Sequence, residues 1–152
     1  MKNEFSRTVK RSILLAGLLA IGASCSAFAQ NKAIGFKPGA PFSEGQVAGN
    51  TLYVAGQQGP PVTGDITAQT TNAIAAIQKV VEQAGFKMSD IVSVTVYVTD
   101  LADVPKMNAV YIKLMPDPKP ARATVQVAGL IGGAKIEISA IAVRGGAMMM
   151  TK

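Results

Sequence analysis

The sequence predicts an α+β domain: a mixed sheet with two helices on one of its faces. Three observations predict it. Residues 91–99, 121–128 and 135–143 alternate with a period of two and are rich in β-branched side chains. Residues 65–84 instead repeat apolar side chains at helical spacing. The order of segments is strand, helix, strand, helix, strand, strand, which suits two helices packed on a sheet of four or more strands.

The elements follow in chain order. Residues 30–46 read as irregular, with turn signals at Pro38-Gly39 and Ala40-Pro41. Gly49-Asn50 punctuates two short extended pieces, the second of which, Thr51 to Ala55, is a strand. Gly56 to Gly64, with Pro60-Pro61, is a loop, and it lacks the lysine and following helix of a phosphate-binding loop. Asp65 caps a helix running to about Ala84, with Ile66, Ala73, Ile77 and Val80 near one stripe. Gly85 ends it.

Val92, Val94, Val96 and Val98 form one face of the next strand, and Ser93, Thr95, Tyr97 and Thr99 the other. Asp100 or Asp103 caps a shorter helix to about Leu114. Pro116, Pro118 and Pro120 impose an extended connector. The two last strands, joined through a turn at Gly129 to Gly133, are expected to form a hairpin. Arg122, Thr124 and Gln126 share one face of the first; Lys135, Glu137 and Ser139 share one face of the second. Arg122 and Glu137 are therefore expected to project together from the sheet face opposite the helices. A half-polar face of this kind suggests packing against another copy of the chain. The Met148–Met150 tail has no determined structure in this reading, and no internal repeat is found.

The N-terminus reads as a targeting segment. Lys2, Arg7, Lys10 and Arg11 precede an apolar run at 12–23, followed by Ala27-Phe28-Ala29. The run is short for a membrane span. Cleavage after Ala29 is expected, leaving a domain of residues 30–152 with its core at about 34–144, periplasmic and with no lasting membrane anchor. Half of the formal net charge of +6 leaves with that segment. What remains, without a basic run or an aromatic stripe, argues against nucleic-acid binding.

The only cysteine, Cys25, lies in the same segment, and the chain has no histidine. Triads built on histidine, and zinc sites built on histidine or cysteine, are excluded. An enzyme of this composition must work with Arg, Lys, Glu, Asp, Tyr, Ser, Thr and water. Arg122, just after the proline connector, offers a fork of donors suited to a carboxylate. Glu137 could orient or deprotonate a water. The two could equally form a cross-strand ion pair. Lys135 reads as a solvated charge, Tyr97 and Tyr111 as packing residues, and Asn108 as a hydrogen-bonding partner for a loop or a ligand.

Residues 120–127 (PARATVQV) together with 135–143 (KIEISAIAV) resemble the C-terminal signature of the reactive intermediate deaminase family, also called YjgF-like. Gly39-Ala40-Pro41-Phe42-Ser43, Gly49-Asn50 with Leu52 to Gln57, residues 83–99 and Asn108 to Tyr111 resemble further family segments in the same order. The resemblance implies a chorismate-mutase-like fold assembled as a homotrimer with clefts between subunits. It implies hydrolysis of 2-imino acids to 2-keto acids and ammonia, without cofactor or metal. Arg122 would hold the substrate carboxylate, Glu137 would position water, and Asn108, Thr124 and Phe42 would border the substrate. Phe42 stands where the family commonly has a tyrosine, and Ala55 where a serine is frequent. A trimer of this fold that binds small carboxylates without turning them over is the alternative.

Overall fold

The computed structural model describes residues 31–59 and 63–145. The expected signal segment, Pro60-Pro61 and the methionine tail lie outside them. Six strands form one sheet: β1 (Lys32–Ile34), β2 (Gly45–Ala48), β3 (Thr51–Gln57), β4 (Ile91–Val98), β5 (Ala121–Gln126) and β6 (Ile136–Val143). The helices are α1 (Ile66–Gln83) and α2 (Val104–Leu114). The spatial order is β1-β2-β3-β6-β4-β5, antiparallel throughout except for the parallel pair β4–β5.

The helices form where the sequence predicts them. The Asp65 side chain accepts a hydrogen bond from the Ala68 amide at 3.0 Å, satisfying one of the free donors that begin α1. At the other end Gly85 takes the left-handed conformation, φ +76°. Asp100 caps only the short turn Leu101–Asp103, through the Ala102 amide. Asp103 precedes α2 without a side-chain cap, and Pro105 occupies its first turn.

One core layer lies between the helices and the sheet. Ile66, Ile77 and Val80 of α1 and Met107 of α2 meet Leu52, Val96, Ile136 and Ile138 of the strands, all essentially solvent-free. Ile77→Ala should lower the free energy of unfolding by about 2–5 kcal/mol, read as a reduced urea midpoint at unchanged slope, because truncation there leaves a cavity.

Four expectations are corrected. Residues 30–46 are not wholly irregular: Lys32–Ile34 and the start of β2 pair as an antiparallel edge of the sheet. Val92 does not join the inner face of β4. It is the extra residue of a bulge between Ile91 and Ser93, so Ile91 turns inward and Val92 is exposed. The last two strands form no hairpin, because β4 lies between β5 and β6. The segment β4–α2–β5 is a strand–helix–strand crossover, and that connection makes its strands parallel.

The fourth correction follows from the third. Arg122, Thr124 and Gln126 register with Val94, Val96 and Val98, so they lie on the helix side of the sheet. Glu137 registers with Tyr97, on the open side. Arg122 and Glu137 of one chain therefore project from opposite faces.

Candidate functional site

β5 is one of the two edge strands, and its helix-side face lies over α2, where Arg122 meets Tyr111. Arg122 reaches that face beside two α2 residues one helical turn apart, Asn108 and Tyr111. The guanidinium carbon stands 4.6 Å from the centroid of the Tyr111 ring, a stacking distance that holds the fork flat on an aromatic face. Asn108, Tyr111, Ile112, Lys119, Pro120 and Arg122 line a cleft of about 410 Å³.

Polar groups in and near this cleft lack partners among the described residues. Asn108 Oδ1 and Tyr111 Oη of its lining, and Thr124 Oγ1 two residues beyond Arg122, are buried and have no hydrogen-bond partner there. Arg122 makes no ion pair among the described residues. Buried polar atoms without partners are costly, of the order of 1–3 kcal/mol each. Three such atoms beside an unpaired cation make a site that a small anionic, hydrogen-bonding ligand would complete. Burial pushes the Tyr111 hydroxyl above the ordinary tyrosine range, partly opposed by the Arg122 charge, so it is a neutral donor and acceptor at physiological pH.

Lys119 is close but engaged. Its ammonium donates to the Ile112 carbonyl at 2.9 Å and the Met115 carbonyl at 2.7 Å, and pairs with Asp117 at 3.1 Å. It ties the proline connector to the end of α2 and so fixes where β5 begins. Lys135, read from sequence as a solvated charge, pairs with Asp103 at 3.1 Å.

On the open face, Glu137 accepts a hydrogen bond from the Gln58 amide at 2.9 Å. Its other oxygen lies against the backbone of Gly56, where a Cβ would overlap it. Tyr53, Val125 and Ile141 expose apolar surface on the same face.

The structure thus brings together Arg122, Asn108 and, two residues along the strand, Thr124. It leaves Glu137 across the sheet, and Phe42, 64% exposed on the segment before β2, is not among the residues that line the cleft. Among the described residues Asn108 Oδ1 has no partner. Sequence reasoning missed Tyr111 as a site residue. The spacing from Asn108 was visible, but only the parallel docking of β5 puts Arg122 over that helix face. It also missed Gln58, whose meeting with Glu137 depends on a bulge in β3.

Comparison with known proteins follows the same outline. The family model described as Endoribonuclease L-PSP matches residues 32–144. A RutC family protein of Pyrococcus horikoshii is 42% identical over 112 residues, 70% of this chain and 89% of that protein. A protein of Escherichia coli named 2-iminobutanoate/2-iminopropanoate deaminase is 40% identical over 112 residues, 68% of this chain and 88% of its own length. Among solved structures, RidA from an Antarctic Psychrobacter aligns with a TM-score of 0.66 at 34% identity, covering 74% of this chain and 94% of that one.

Proposed function

Because the chain belongs to the reactive intermediate deaminase (YjgF-like) family, we propose that it hydrolyses 2-imino acids to 2-keto acids and ammonia, in clefts shared between the subunits of a homotrimer. One observation carries this reading: a guanidinium laid on Tyr111 that makes no ion pair among the described residues, near three buried polar atoms that none of those residues satisfies. That arrangement suits a small carboxylate with a polar group at its α-carbon. The relatives named as imine deaminases supply the chemical class.

Arg122 takes the carboxylate, Asn108 and Tyr111 in the same pocket wall receive the nitrogen and orient the imine carbon, and Thr124 borders the substrate from further along β5. Water adds to that carbon: a C–O bond forms as the C=N π pair moves onto nitrogen, and the Glu137 carboxylate takes one proton from the water. Glu137 delivers that proton to the amine nitrogen of the resulting carbinolamine. The C–N bond then breaks with its pair on nitrogen, the remaining hydroxyl proton passes by way of Glu137 to the departing ammonia, and the carbon is left as a ketone. An iminium carbon is already electrophilic, so positioning and electrostatics suffice.

Glu137 cannot serve the Arg122 cleft of its own chain, because it projects from the opposite face two strands away. A neighbouring copy, packed by its exposed Tyr53, Val125 and Ile141 surface, supplies it. Phe42 would border the substrate from that side. The reading includes export after cleavage at Ala29 into the periplasm.

The test is ammonia release by the purified protein from 2-imino acids generated in place by an amino-acid oxidase, with light scattering on the same sample. Acceleration over the spontaneous rate by a particle of three chains is expected. A well-folded trimer that binds 2-keto acids but accelerates none of the imines would replace the enzyme with a carboxylate-binding protein. A monomer would remove the shared cleft.

A further inference from the structure

The geometry points to Gln58 as the positioning residue of the Glu137 carboxylate, a role that rests on the deaminase reading above. It comes from the path of β3. From Thr51 to Val54 this strand pairs with β6 in one register, and at Gln57↔Ile138 the register has slipped by one residue. The strand therefore carries a bulge between Val54 and Gln57.

A bulge reverses which face the following side chains take. Val54 points into the core. Uninterrupted alternation would send Gln57 outward and Gln58 inward. With one residue added, Gln57 comes opposite the buried Ile138, and Gln58 emerges on the open face opposite Glu137. There its Nε2 donates to Glu137 Oε2 at 2.9 Å.

The same bulge brings Gly56 under the carboxylate. Any side chain at Gly56 would overlap Glu137 Oε1. The φ of Gly56 is not in the left-handed region, so close approach, and not backbone freedom, is what requires a glycine here. Glu137 is held on one oxygen by an amide and flanked on the other by bare backbone. Among the described residues Oε1 accepts no hydrogen bond, and it is the oxygen left to take a proton.

A half-buried glutamate with three rotatable bonds would otherwise sample several rotamers, few of which address a water on the imine carbon. One charge-assisted hydrogen bond removes most of that freedom. Gln58 touches neither substrate nor water in this assignment; it acts through Glu137.

The experiment compares wild type with Gln58→Met, which keeps the length of the side chain and removes its amide, and with Glu137→Gln. Steady-state ammonia release and thermal midpoints are measured for each. The expected result for Gln58→Met is a kcat lower by about tenfold, with KM within about twofold and an unchanged melting temperature. A residue that only supports the fold would shift the melting temperature and leave that kcat–KM split absent. A severely impaired Glu137→Gln beside a Gln58→Met of undiminished kcat overturns the positioning role alone. A Glu137→Gln protein as fast as wild type overturns the role of Glu137 and that of Gln58 with it.

Discussion

Arg122→Ala should reduce kcat/KM for 2-imino acids by about 10²–10³-fold while leaving the melting temperature close to that of wild type. The two halves of this expectation have different origins. The guanidinium is on an edge strand, exposed within one chain, and among the described residues it meets the Tyr111 ring and makes no ion pair, so the fold loses little when it is removed. The substrate loses much more. Truncating one partner of a desolvated charge pair costs about 2–5 kcal/mol, and each 1.4 kcal/mol is a factor of ten in rate.

Arg122→Lys separates charge from geometry. Lysine keeps the positive charge but cannot lie flat on Tyr111 or present two parallel donors. It should recover part of the loss, and the deficit that remains should appear chiefly as a raised KM. An Arg122→Ala protein with wild-type kcat/KM would remove the carboxylate role and leave the orphaned atoms of Asn108, Tyr111 and Thr124 without a ligand.

Much of this fold was legible because its signals were local. The alternation of Val94, Val96 and Val98 and the capped, glycine-stopped helix α1 depend on neighbouring residues alone. Strand pairing was not legible in the same way. The turn at Gly129 to Gly133 suggested a hairpin, whereas the strand–helix–strand order from Ile91 to Gln126 carried the competing and correct signal for a parallel pair. Choosing the hairpin moved Arg122 to the wrong face.

The one-residue insertions were likewise hidden. Nothing in Ile91-Val92-Ser93 marks which residue the sheet expels, since Ile91 and Val92 are both β-branched and apolar. Nothing in Ala55-Gly56-Gln57-Gln58 shows which glutamine faces Glu137. Side-chain direction after a bulge is set by the partner strand, and the sequence of one strand does not contain it. The site residues Arg122, Glu137, Asn108 and Thr124 were legible as residue types, but their grouping was not.

That grouping yields the sharpest test of assembly. Mixing two inactive proteins, Arg122→Ala and Glu137→Gln, should restore activity when they are co-expressed and isolated as mixed trimers. In the proposed cyclic trimer, each cleft takes Arg122 from one copy and Glu137 from the next. A cleft is whole when the Glu137→Gln chain supplies the arginine and the Arg122→Ala chain supplies the glutamate. Every mixed trimer, whichever variant it holds two copies of, has one whole cleft in three, so about a third of wild-type activity is expected. Each variant alone, purified and assayed identically, should stay near the spontaneous rate. Were both residues to act from one chain, every cleft in the mixture would lack one of them, and the mixed trimers would be as inactive as their parents. For a shared cleft that uses both residues, the opposite-face placement of Arg122 and Glu137 across β4 predicts the first outcome.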